Sequence, residues 1–76
     1  MKKEELLNEI QDMLQRDDAL DEDMELSDIE EWDSLAIIST VSLYDELFSV
    51  VLKSNEIKNC KKVSDLINLV ADKLED

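Results

Sequence analysis

The chain has 76 residues and a mass of 8.8 kDa, enough for one small domain and no second core, so residues 1–76 read as a single unit. It carries 21 acidic and 8 basic residues and no histidine, for a formal charge of −13, which argues against nucleic-acid binding and against docking on an anionic membrane, because both surfaces are gripped by Lys and Arg. A single cysteine excludes an intramolecular disulfide and a multi-cysteine zinc site, and the lack of His removes the commonest general base.

No apolar run approaches the roughly 20 residues needed to cross a bilayer, which predicts no membrane insertion. The opening MKKEELLNEI places acids where a signal peptide would place its apolar stretch. The expectation is a soluble, cytoplasmic protein. Apolar residues make up 43% of the chain and recur periodically, so a folded domain is expected despite the charge. Gly and Pro are both absent. A sandwich or barrel of this size needs several tight turns, normally built with those residues. The fold class is therefore all-α.

The first helix is predicted from Lys2 to Gln15. Leu6, Leu7, Ile10, Met13 and Leu14 form one stripe at spacings of three and four. Glu4 and Glu5 complement the dipole of its first turn. From Arg16 to Asp33 the period breaks, and the stretch holds ten acids with no base after Arg16. It reads as a long ordered loop pinned by Leu20, Leu26, Ile29 and Trp32. A structureless loop this long in a compact domain usually has a function or marks a wrong assignment of elements. The second helix is predicted from Asp33 or Ser34 to about Ser49, since both starting residues are good N-caps. Ile37, Val41, Tyr44 and Phe48 form its stripe, widened by Leu47. Leu35 and Ile38 fall off that stripe and should be partly exposed. A short third helix is expected over Ser54–Cys60, capped by Ser54 or Asn55. A final helix should run from Ser64, its cap, to about Leu74, with Leu66, Ile67, Val70 and Leu74 buried and Val63 preceding as a staple against Ile67. The architecture is a small four-helix bundle, three longer helices and one short one, with a long loop between helices one and two.

Charge divides the chain. Residues 1–34 hold 14 acids against 3 bases, whereas residues 35–76 hold 7 against 5. The acidic loop invites a calcium reading, because Asp21, Asp23 and Glu25 alternate as an EF-hand loop begins. The position that needs Gly is Leu26, however, and the one that needs the bidentate Glu is Trp32. No metal ligands are assigned. Paired carboxylates occur by chance at this acidity, and a bundle this small leaves little room for a substrate cleft. Cys60 has no His to activate it and reads as a small apolar residue closing the third helix. No catalytic residue is assigned.

The segment Glu30-Glu31-Trp32-Asp33-Ser34-Leu35 sets a serine at the start of an apolar helix, directly after an acid. The Ser34 hydroxyl can serve as an N-cap, or as an attachment point whose phosphodiester would lie beside the free N–H groups of the helix start. Periodicity does not choose between the two.

Trp-Asp-Ser-Leu at 32–35, preceded by an acidic loop and followed by a helix, resembles the acyl carrier proteins and related carrier domains. The resemblance spans essentially the whole chain: an amphipathic first helix, a long loop, the Asp-Ser-Leu helix with Phe48 near its end, a short third helix, and a closing helix opened by Val63 and Ser64. It implies a 4′-phosphopantetheine group on Ser34, installed from coenzyme A by a separate phosphopantetheinyl transferase. It implies a carrier that is no enzyme, holding acyl groups as thioesters and shuttling them between enzymes of fatty-acid or related lipid or polyketide synthesis. Asp33, Asp45 and Glu46 match the acidic positions that face basic docking patches on partner enzymes, and Leu35 and Ile38 match the apolar contacts beside the serine. A monomer is implied. The cargo could shelter among Ile37, Val41, Tyr44, Cys60 and Leu66, which are equally needed as core. The chain departs from the usual fatty-acid carrier at Ala36 and Ser39, where acids are common, at Leu52-Lys53, which lacks a proline, and at Glu30-Glu31-Trp32, which lacks a glycine. Those departures leave open an aminoacyl or peptidyl carrier of a specialised pathway. An unmodified acidic protein-binding adaptor is the alternative of a different class.

Overall fold

A computed structural model describes residues 1–75. Among them are four α-helices, α1 (Lys3–Leu14), α2 (Ser34–Phe48), α3 (Ser54–Lys58) and α4 (Val63–Asn68), with 3-10 turns at Leu26–Asp28 and Ala71–Lys73 and no strand beyond one isolated antiparallel bridge, Glu25 to Lys62. No described helix is long and apolar enough to cross a membrane.

α1 forms where expected. Its apolar spacing turns Leu6, Ile10 and Leu14 into the core, with Leu7 and Met13 at the margin. α2 packs against both α1 and α3. Its stripe differs from the expected one. The buried positions are Ala36, Thr40 and Tyr44, four residues apart, while Ile37, Val41, Leu47 and Phe48 flank them half-buried. Thr40 fits in the core because its hydroxyl donates to the Ala36 carbonyl at 2.7 Å, so no polar group is stranded. A reading that counts only apolar residues misses it.

Both long helices end on a left-handed residue, Gln15 at φ 55° and Ser49 at φ 56°. Glycine normally occupies that position, and this chain has none. Each end therefore carries strain of about 1–2 kcal/mol.

α4 corrects the expected proportions: the helices are two long and two short, not three longer and one short. α4 stops at Asn68 instead of continuing to Leu74. Where the helix stops, the Leu66 carbonyl accepts from the Tyr44 hydroxyl at 2.7 Å. Val70 N–H goes to the Ile67 carbonyl instead, a tighter turn that the Ala71–Lys73 segment continues. The caps also move one or two residues toward the N-terminus. Lys53 and Lys62 occupy the cap positions of α3 and α4, in place of Ser54 or Asn55 and of Ser64. Carboxylates three residues on supply the acceptors: Glu56 takes Lys53 N–H at 3.1 Å, and Asp65 takes Lys62 N–H at 3.0 Å and Lys61 N–H at 2.9 Å. These two amides hold the Asp65 carboxyl below its usual range.

The acidic segment between α1 and α2 is ordered by backbone pairing with the α3–α4 connection. Leu26 N–H donates to Lys61 O at 2.8 Å, Val63 N–H to Met24 O at 3.0 Å, and Ser64 N–H to Glu22 O at 3.0 Å. Leu20, Leu26 and Ile29 enter the core as expected, and Trp32 lies half-buried against it. These anchors hold the segment against the core as far as Trp32.

Candidate functional site

The candidate site is the head of α2. Asp33 is the N-cap, its backbone extended and its Oδ1 accepting from Ala36 N–H at 2.9 Å. Ser34 follows as the first helical residue and is exposed. Capping at this helix start thus belongs to Asp33. The Ser34 hydroxyl has no hydrogen bond among the described residues. Asp33→Ala should cost about 1 kcal/mol of stability through loss of the cap, and should speed amide exchange at Ala36 in particular. Urea titration and residue-resolved exchange would measure the two effects.

The other expected contact residues share the outer face of α2. Leu35 is 72% exposed and Ile38 60%, large apolar side chains left in water one turn apart. Asp33, Asp45 and Glu46 are exposed as well. From Ser34 to Asp45 the face runs about 16 Å at 1.5 Å per residue. It is apolar beside the serine and acidic at its far end. Val51, 84% exposed, is a third large apolar side chain open to solvent, in the α2–α3 connection.

Electrostatics at the head of α2 are less repulsive than the sequence suggests. Glu31 is paired with Arg16, Nη1 to Oε1 at 3.0 Å, and Asp33 is engaged by the Ala36 amide. An anion on Ser34 would meet the positive end of the helix dipole and two carboxylates that already have partners.

Two clefts flank the site. One, of about 320 Å³, is lined by Glu25, Leu26, Ser27, Trp32, Cys60 and Lys61. Of the residues expected to shelter a cargo, only Cys60 lies in it. Tyr44 and Leu66 are fully buried core, and Ile37 and Val41 are half-buried. Leu26 and Trp32 were expected only as anchors of the loop, and their place in a cleft with Ser27 was not legible because the loop has no period to read. The available signal was the chain's only tryptophan, two residues before Ser34. Cys60 is half-buried, with Sγ 3.5 Å from the Glu56 carbonyl. Burial, and next the Asp65 charge, push its thiol up, away from the reactive thiolate. The second cleft, of about 350 Å³, is lined by Met13 and Leu14 of α1, the capping Gln15, and Glu31, Asp33, Leu35, Ala36 and Ser39.

No family model, curated protein or solved structure matches the chain.

Proposed function

We propose that this chain is an acyl carrier protein, a small four-helix bundle with a long loop, carrying 4′-phosphopantetheine on Ser34. The observation that carries the reading is the division of labour at the head of α2: Asp33 caps the helix, and the neighbouring Ser34 hydroxyl is exposed and unengaged. In the modification, Ser34 Oγ attacks the pantetheine-bearing phosphorus of coenzyme A. The Oγ–P bond forms, the P–O bond to the adenosine bisphosphate breaks, and the hydroxyl proton passes to the transferase. The helix start favours the resulting phosphodiester charge. When bound, the arm supplies a terminal thiol that carries acyl groups as thioesters.

The chain's own residues then serve recognition. Leu35 and Ile38 offer an apolar contact beside the serine, and Asp33, Asp45 and Glu46 speed encounter with basic patches on the transferase and the acyl-transferring enzymes. The cleft at Leu26, Trp32 and Cys60 begins within about 7 Å of Ser34 along the chain and offers apolar wall to the cargo. The protein works as a cytoplasmic monomer without catalysis of its own.

Incubation with coenzyme A and a broad-specificity phosphopantetheinyl transferase is expected to add one arm by intact mass, and Ser34→Ala to abolish the gain while the fold is kept. A wild-type mass left unchanged by several transferases would overturn the proposal.

A further inference from the structure

We propose that Arg16 is the positioning residue of the Ser34 site, its ion pair with Glu31 latching the segment that delivers Asp33 and Ser34 to the head of α2 and so setting the rate of modification, an inference that rests on Ser34 being the attachment point. Arg16 is the only base between residues 4 and 52. The carboxylates of that stretch repel one another, so one attractive pair has unusual weight in deciding where the segment lies.

The pair is built from both sides. Arg16 belongs to the end of α1: its N–H donates to Gln11 O at 3.1 Å, and its carbonyl accepts from Gln11 Nε2 at 3.1 Å. The backbone that carries the guanidinium is thereby tied to the end of the helix. Glu31 lies two residues before the cap, in a turn closed by Trp32 N–H to Ile29 O at 3.0 Å. The two side chains are 16% and 34% exposed, against 39% and 40% for the Lys3–Glu22 pair, so water and salt screen the latch less. Beside the pair the 350 Å³ surface cleft opens between the end of α1 and the start of α2. The ion pair adds a polar link to the apolar contact of the two helices.

Arg16 Nε is buried without a hydrogen-bond partner among the described residues. An unsatisfied buried donor costs stability. A partly buried ion pair is in general weak grounds for stability and better attested as a device that fixes geometry. The arrangement suits a group retained for position.

The full-length chain tests this with Arg16→Gln, Glu31→Gln and the exchanged pair Arg16→Glu/Glu31→Arg. Each is read by residue-resolved amide exchange and by transferase kinetics with coenzyme A. In each Gln variant, exchange at the hydrogen-bonded amides of Trp32 and Ala36 is expected to rise about tenfold while Tyr44–Phe48 keeps its protection. The kcat/KM for modification is expected to fall about tenfold, mainly in kcat if coenzyme A is saturating and Ser34 is misplaced. The exchanged pair should restore both. Exchange that rises uniformly along the chain, an unchanged kcat/KM, or a folded exchanged pair that restores neither readout would overturn the latch. Should a Gln variant unfold, Arg16→Lys carries the same test, because it keeps the charge and loses the guanidinium geometry. A wild type that accepts no arm would sink the attachment reading alone, and the exchange pattern would still decide whether the latch exists.

Discussion

Tyr44→Ala is expected to remove about 3–5 kcal/mol of stability, a large share of what a domain of this length holds, at about 0.05–0.15 kcal/mol per residue. Tyr44 is fully buried in the middle of α2. Its ring meets Phe48 edge-on, centroids 5.8 Å apart at 83°, and its hydroxyl reaches the Leu66 carbonyl. Tyr44→Phe isolates that last term. It keeps the ring and strands a buried carbonyl, at a cost of about 1–3 kcal/mol. Urea unfolding of the three proteins measures both steps, and equal stability of the Phe variant and wild type would show that the hydroxyl bond contributes nothing. The same residue predicts an alkaline limit. Burial first, and the nearby Cys60 thiolate second, raise the Tyr44 pKa above its usual value of 10.0. In the folded protein the phenol holds its proton where the unfolded chain releases it. Stability is then fully present below about pH 10 and falls as pH rises beyond it. Tyr44→Phe should flatten that fall, which a pH series of melting temperatures would record.

Raising the salt from about 10 mM to about 100 mM should stabilise the fold by screening its own charge, because the Debye length shrinks from about 30 Å to about 10 Å. The molecule measures 27 × 23 × 19 Å. At the lower salt every carboxylate feels every other across the whole body, and at the higher salt only its neighbours. With −13 charges on 76 residues, most of what is screened is repulsion. Each kcal/mol recovered raises the melting temperature by about 4–8 °C. A melting temperature that falls under moderate salt would contradict this. Acidification acts in the same direction only while it neutralises repelling carboxylates. Asp65 opposes it, because its lowered pKa gives stability that is lost as pH falls through that value.

The position of α1 was legible because its apolar stripe is long enough to reveal its period, and that of α2 because a long apolar run follows two good capping residues. Leu35 and Ile38 are exposed as expected, but the buried line of α2 runs through Ala36, Thr40 and Tyr44 and not through Ile37 and Val41. Thr40 was not legible, because its burial depends on a hydroxyl bond to Ala36 that hydrophobicity does not register. The early end of α4 was not legible either. It coincides with a contact from 22 residues away in the sequence, the Tyr44 hydroxyl donating to the Leu66 carbonyl. The caps of α3 and α4 lie one residue before Ser54 and two before Ser64: those serines suit capping by side chain, whereas Glu56 and Asp65 reach back to backbone amides.

By itself the sequence determined the helical class, the acidic surface and the serine at the head of an apolar helix, because composition and periodicity act locally and survive without a partner. Only the tertiary structure decided that Asp33 does the capping, that Arg16 closes on Glu31, and that Trp32 and Cys60 face one cleft. Those facts depend on how the unperiodic segment between α1 and α2 is folded back, and its backbone pairs with a connection some forty residues away in the chain. Pairing at that separation leaves no repeating mark in the sequence.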